Sequence, residues 1–394
     1  MRRLIPVLAV LLCAACCALA AEPARRVETG TGVTLIPSDS WKTTYPDIYE
    51  SYMANAENSE VTDYVAQYPM IATIYEGYGF AYSYGSARGH YYNVADLKET
   101  GRPHALANCF TCKTADYTWM VNQEGVSAYS KPFEDVLPRV NESLGCYTCH
   151  ESDPSRGITV THTYLIDALG SDFDRVAAQN ASCGQCHVEY YFDPDTKATR
   201  LPYEGLAAMN PDAMYDLYES MGYSDYTNPR TGVGILKAQH PEMETFLGEG
   251  SVHRDTFTCA DCHMGTARSS EGKDFVSHKW VSPLESESIM ASCTACHSDL
   301  PGFVHGIQEK MEARTVAIGA KLEELTNRLA EAVEKGTLSE ERLSTVRALN
   351  RKGQWYWDFV FVENSEGAHN SRLDNNCLDK AEAFINAALK QFDV

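Results

Sequence analysis

The sequence is poor in positive charge. Lysine and arginine together number 33 against 54 aspartates and glutamates, which leaves a formal net charge of -21. A chain this acidic repels phosphate backbones, so nucleic acid is excluded as a partner. Beyond residue 20 the chain also lacks any apolar run near the roughly 18 residues a membrane span needs. Contact with a membrane would therefore go through a partner or a lipid. No repeat of fixed period runs along the chain, which excludes solenoids and propellers. Apolar residues at 44% and charged residues at 22% exclude a disordered or fibrous chain. Cysteine is the exception to this sparseness. Fourteen in 394 residues is high for this length, yet far below the density of a disulfide-stapled miniprotein.

Three of those cysteines belong to a segment that is expected to leave. Arg2 and Arg3 make a basic start, residues 4–19 are almost wholly apolar, and Ala18-Leu19-Ala20 supplies the small residues a signal peptidase needs. Residues 1–20 are thus predicted to be a cleaved export signal that carries off Cys13, Cys16 and Cys17. Acylation of Cys16 or Cys17 is the alternative. Either way the mature protein is placed in the periplasm or elsewhere outside the cytoplasmic membrane.

Ten of the eleven remaining cysteines fall into C-x-x-C pairs. Four pairs run straight into histidine: Cys146-Tyr147-Thr148-Cys149-His150, Cys183-Gly184-Gln185-Cys186-His187, Cys259-Ala260-Asp261-Cys262-His263 and Cys293-Thr294-Ala295-Cys296-His297. This is the attachment pattern of c-type haem: two thioethers hold the porphyrin and the adjacent imidazole reaches the iron. Chance placement would give about 0.01 such motifs per chain of this composition. Zinc knuckles or disulfides are the competing reading. Zinc half-sites pair closely in sequence, however, and an exported chain would oxidise them. The fifth pair, Cys109-Phe110-Thr111-Cys112-Lys113, has lysine where the others have histidine. A decayed site or a plain disulfide would explain it. So would a fifth haem held by an amine, which can bind iron only in its neutral form. A haem with a different proximal ligand has a different task. Cys377 is left over as a buried free thiol.

There are twelve histidines. Four are proximal ligands, and four electron-transfer haems need four more as distal ligands. The candidates are His90, His104, His162, His240, His253, His278, His305 and His369. The count is met without giving the lysine haem any distal protein ligand, and an iron with an open position can bind a substrate.

In its motif order, one C-x-x-C-K followed by four C-x-x-C-H, the chain resembles the pentahaem cytochrome c nitrite reductases, the ammonia-forming enzymes of anaerobic nitrite respiration. Two further segments carry the likeness: Gln185-Cys186-His187-Val188-Glu189-Tyr190-Tyr191-Phe192 and Lys237-Ala238-Gln239-His240-Pro241-Glu242. The resemblance implies five covalently bound haem c groups, the catalytic one being carried by Cys109, Cys112 and Lys113. It puts Tyr190, His240 and an arginine in the distal pocket. The arginine is Arg102, with Arg88 the alternative. It pairs His90 with His187, His278 with His150, His369 with His263 and His253 with His297, leaving His104, His162 and His305 as ordinary polar residues. It implies calcium beside the active haem, held by the Glu189 carboxylate, the main-chain carbonyls of Tyr190 and Lys237, and the Gln239 amide oxygen, the hard donors that calcium prefers. It also implies a homodimer that takes electrons from a membrane-anchored multihaem quinol dehydrogenase or a small soluble cytochrome. Relatives of this kind also reduce nitric oxide, hydroxylamine and sulfite. A hydroxylamine or sulfite reductase, or a pentahaem electron carrier without turnover, are therefore the alternatives to nitrite reduction.

The expected fold is mainly α: a multihaem cytochrome c fold of short helices and haem-wrapping loops over residues 21–300, then a long helical tail over 301–394, in one structural domain. Tyr75 to Tyr92 is an aromatic-rich run expected to pack on haem faces. Met311, Ile318, Leu322, Leu325 and Leu329 recur at helical spacing. Gly336 and Ser339 mark a stop and a new start. The second helix is expected to reach about Val362 and the last to begin near Asp374.

Overall fold

The computed structural model describes residues 22–103 and 105–393, so the proposed export signal and His104 lie outside the described residues. The fold is mainly helical, as expected. Its strands are pairs of two- or three-residue segments: 25–26 beside 159–160, 191–192 beside 199–200, 226–227 beside 234–235, and 266–268 beside 274–276. Among the described residues, no helix is long and apolar enough to cross a membrane.

Three long helices close the chain: Leu300–Lys335, Glu340–Phe361 and Ser371–Leu389. Each starts on a side chain that accepts from an otherwise unpaired backbone N–H, Asp299, Ser339 and Asn370 respectively. The first ends on Gly336 at φ 61°, the left-handed position that favours glycine. The last begins three residues before Asp374, because Asn370 supplies the cap. The stripe Met311, Ile318, Leu322, Leu325 and Leu329 is buried, and Trp355, Trp357 and Phe359 are completely so. Close approach is built in at two glycines. A Cβ at Gly319 would meet Trp357 and Met70 at 3.0 Å, and one at Gly353 would meet Ile385 at 2.9 Å. Cys377 is a buried free thiol in this core.

The segments that carry the cysteine motifs are tied to these helices by polar groups. Trp355 Nε1 donates to the Pro211 carbonyl at 3.0 Å, and Asp358 accepts from Ala238 N at 3.0 Å and Lys237 Nζ at 3.2 Å. Tyr75 also donates to Asp358. The aromatic run therefore packs on protein at its start, where a haem face was expected. Tyr75 is fully buried near Trp357, and Tyr78 stacks on Tyr226 at 4.6 Å.

Candidate active site

Cysteine, cysteine and histidine at i, i+3 and i+4 share one face of a helical turn, and the chain folds its motifs that way. Cys146–His150 and Cys259–His263 are each a short helix, the latter closed by a reciprocal Thr258–Asp261 capping box. In the other two histidine motifs the bond of an α-turn is present: His187 N to Cys183 O at 3.0 Å and His297 N to Cys293 O at 2.9 Å. The lysine motif differs. Residues 107–110 form a 3₁₀ turn, Lys113 N donates to Phe110 O at 3.0 Å, and Cys112 sits at φ 62°. A cysteine in the left-handed region costs about 1–3 kcal/mol and persists only where its surroundings impose it.

Each motif histidine lies opposite a further histidine, and His187 has two such neighbours, His90 and His240. Ring centroids are 6.1 Å apart for His90 and His187, 6.2 Å for His150 and His278, 6.1 Å for His263 and His369, and 6.2 Å for His253 and His297. An iron that holds a nitrogen at about 2 Å on each side, with each ring centre about 1 Å farther out, sets two trans imidazoles about 6 Å apart. The structure thus brings together the same four pairs that the resemblance implies, at a spacing that fits an iron between them.

In four of the paired histidines the second ring nitrogen has a partner, in the way that metal-binding imidazoles require. Nδ1 faces the Gly157 carbonyl at 3.0 Å in His150, the Val281 carbonyl at 2.9 Å in His263 and the Val276 carbonyl at 3.0 Å in His278. In His369 it faces the Glu363 carboxylate at 2.6 Å. Such a bond fixes the tautomer with a proton on Nδ1 and leaves Nε2 for a metal. Burial, then the charges of His187 and Lys113, push His90 down to about 3, which keeps it in the neutral form that a metal takes.

The pocket residues gather around the lysine motif. Arg102 lies over the Phe80 ring at 4.1 Å, and its charge lowers the Cys109 thiol against the burial that raises it. Arg88 is engaged elsewhere, in ion pairs with Asp96 at 2.5 Å and Glu99 at 3.0 Å. Burial pushes the Tyr190 phenol well above its ordinary value, and its neighbours include Cys112 and Cys109. His240 is within 6.2 Å of His187, centre to centre. Burial pulls its imidazole below the ordinary value, Glu242 pushes back, and Lys113 lies near enough to add to the lowering.

Behind the pocket is a cluster of buried oxygens. Glu189, 1% exposed, accepts from Gln239 N at 2.6 Å and from Tyr218 Oη at 3.0 Å. Gln239 Nε2 meets the Lys237 carbonyl at 2.9 Å. Burial raises the Glu189 carboxyl well above its usual range, and Asp225 and Glu244 add negative charge. The buried ammonium nearby, Lys237 Nζ, is paired with Asp358. A carboxylate held in this way calls for a further cation, and the donor set is all oxygen once the Gln239 amide presents its carbonyl. The residues expected to hold calcium therefore fit it.

Several supporting residues went unnoticed in the sequence reading. Glu242, Met243 and Glu244 grip the third motif: Glu242 faces His187, Met243 N donates to His187 O at 3.0 Å, and Glu244 accepts from Glu189 N at 3.0 Å. Gln185, fully buried inside that motif, accepts from Thr161 N at 2.9 Å and His162 N at 3.2 Å, and donates to Thr148 O at 2.9 Å. His162 is buried with Nδ1 on Gln185 Oε1 at 3.1 Å and Nε2 by Thr118 Oγ1 at 3.4 Å. One of its nitrogens and the sulfurs of Cys112 and Cys186 lie within 4.8 Å of one another. Both sulfurs belong to haem motifs and both ring nitrogens have partners, so His162 is a structural residue.

Residues 37–392 match the model of a family described as cytochrome c552. The chain belongs to the cytochrome c552 family. It is 29% identical, over 90% of its length and 78% of the relative's, to the cytochrome c nitrite reductase subunit NrfA of Nitratidesulfovibrio vulgaris. Among solved structures it matches the catalytic subunit NrfA of the cytochrome c nitrite reductase from Desulfovibrio desulfuricans, which has two calcium sites. That match has a TM-score of 0.80 and 26% identity, and covers 92% of this chain and 87% of the other. The likeness first drawn from the motif order stands at the level of the family, and the multihaem cytochrome fold stands with it.

Proposed function

We propose that this member of the cytochrome c552 family is an oxidoreductase that reduces nitrite to ammonium at a lysine-ligated haem, in anaerobic nitrite respiration outside the cytoplasmic membrane. The observation that carries the reading is the use of the histidines. Four are paired with the four motif histidines at the spacing of an iron, and a fifth, His240, lies beside His187 at 6.2 Å with Lys113 nearby and is left over once those pairs are made.

Conversion of nitrite to ammonium takes six electrons and eight protons. Four bis-histidine haems and one open, lysine-held haem, when bound, supply the electron storage and the binding position. The rest falls to the chain. Arg102, permanently charged and clear of carboxylates among the described residues, offers a forked donor to the oxygens of an anion. His240 is placed to hand over a proton as N–O bonds break, and the Tyr190 hydroxyl to hydrogen-bond and orient the substrate. Lys113 would hold the iron of the fifth haem through its neutral amine. Calcium held by Glu189, Gln239 and the carbonyls of Tyr190 and Lys237 would fix Tyr190 and Gln239 and add positive potential beside the pocket.

The three terminal helices are proposed as the face of a homodimer, with Phe303 and Val316 as large apolar residues exposed on the first of them. A membrane-anchored multihaem quinol dehydrogenase or a small soluble cytochrome is the proposed donor. The test is ammonium production from nitrite with a reduced viologen dye, run beside hydroxylamine and sulfite. His240→Asn should lower nitrite turnover at least about 100-fold while the mass still shows five haems. Unchanged turnover refutes the role of His240, and faster sulfite or hydroxylamine reduction by the wild type refutes the substrate.

A further inference from the structure

One carboxylate lies between two imidazoles that the proposed function assigns to different tasks. Glu242 is 7% exposed and opens the helix Glu242–Leu247. Its Oε2 is 3.6 Å from Nδ1 of His187, and its Oε1 is 3.8 Å from Nδ1 of His240. Asn364 Nδ2 donates to Oε1 from the loop between the last two helices. The His240 Nδ1 and Glu242 Oε2 atoms are both buried without a hydrogen-bond partner. Buried polar atoms of this kind are rarely left unsatisfied, and here the unsatisfied atoms belong to groups that face each other. Bonds in catalytic sites are often long before ligands are in place and tighten afterwards.

We propose that Glu242 is a positioning residue that holds the imidazoles of His187 and His240 at the same time, one through each carboxylate oxygen. This rests on the reading of His187 as a haem ligand and of His240 as a pocket residue. A carboxylate suits the task because it has two acceptor oxygens and no donor, so it can receive both Nδ1 protons. It leaves Nε2 of His187 for iron and Nε2 of His240 for the pocket. Its effect on the two sides differs. On the His187 side it makes the ligand more basic, which favours the oxidised iron and lowers the potential of that haem relative to one whose imidazoles face carbonyls. His150 and His278 face carbonyls on both sides of their pair. On the His240 side it fixes where the imidazole points. The backbone braces the same arrangement, since Met243 N is bonded to His187 O.

The test uses the purified holoprotein and the variants Glu242→Gln, His240→Asn and the two combined. Glutamine keeps the size but has one acceptor oxygen and one donor, so it cannot receive both protons. Glu242→Gln should keep five haems by mass, raise the midpoint of one low-spin haem in an optical redox titration, and lower kcat for nitrite about 10-fold. In the His240→Asn background the midpoint shift should persist and the further loss of kcat should vanish, because the partner through which it acts is gone. Unmoved midpoints overturn the contact with His187, and the same 10-fold loss in both backgrounds overturns the contact with His240. Should Glu242→Gln fail to mature, Asn364→Ala serves instead. It takes a donor away from the carboxylate, strengthens the pull on His187 and should move the same midpoint downward. No movement overturns the proposal. A wild-type protein that makes no ammonium overturns the pocket reading, and with it the His240 half of the proposal. That failure is told apart because the midpoint shift in Glu242→Gln does not depend on turnover.

Discussion

The histidine motifs and the lysine motif share the spacing C-x-x-C and differ in backbone. A helical turn sets His150 and His263 on the face of their cysteines, so a short, stiff imidazole arrives at the cofactor directly. Around Lys113 the chain leaves the helix, with a 3₁₀ turn before Cys112 and a left-handed residue at it. On the proposed ligation of iron by Lys113, the difference follows from reach. Lysine carries its nitrogen on a four-carbon stem, so the same axial point is met only if the backbone is turned to take up the extra length. On that proposal, the left-handed Cys112 is where the sequence spends stability to seat the amine.

That comparison can be broken by exchanging the ligand while keeping the turn. Lys113→His restores the common motif, but on a backbone shaped for a longer side chain. Nitrite turnover should fall about 1,000-fold, equivalent to about 4 kcal/mol in the barrier, with five haems still present by mass. Wild-type rates from this variant would mean that the turn at Cys112 has nothing to do with seating the amine.

The two kinds of motif were unequally legible in the sequence. The five cysteine pairs could be read because one residue type at one spacing recurs five times along the chain. The terminal helices could be read because burial repeats every three to four residues from Met311 to Leu329. The left-handed Cys112 could not, since no glycine or asparagine marks it. Glu242 and Gln185 lay inside segments already singled out, yet they act through partners 55 and 24 positions away. Such partners are chosen by the fold and leave no local pattern. The aromatic run was assigned to haem faces on composition alone. At its start, Tyr75 instead meets Asp358 on a helix almost 300 residues later, which a local reading cannot see.

Gln185 sharpens the comparison from the histidine side. It occupies the x position before Cys186 and bonds the third motif to the second through Thr148 O. Its counterpart Thr111 meets Thr199 Oγ1 at 3.4 Å. Gln185→Ala strands the N–H groups of Thr161 and His162 and the Nδ1 of His162, all buried. It should cost about 3 kcal/mol of stability, at roughly 1–3 kcal/mol for each buried group left unsatisfied, seen as a lower urea midpoint. Thr111→Ala should cost less than about 1 kcal/mol. Equal costs would remove the distinction between a motif that is knitted to its neighbour and one that is not.

A smaller effect than the loss of Gln185 concerns the histidine between the two motifs. His162 is buried and neutral; burial pushes it down to about 4, and the bond to Gln185 pushes back. Its ordinary value is near 6.5, so between those limits the unfolded chain binds more protons than the folded one. Stability then rises with pH across that window. The contribution is complete above about pH 6.5 and is lost as the pH falls toward 4. Lowering the pH from 7 to 5 should cost about 2 kcal/mol through this residue. His162→Gln keeps a hydrogen-bonding side chain that does not titrate, so the fall in urea midpoint over that interval should shrink by the same amount. An identical pH slope in wild type and variant would show that His162 takes up its proton as readily in the folded chain as in the unfolded one, and that its bond to Gln185 does not hold it neutral.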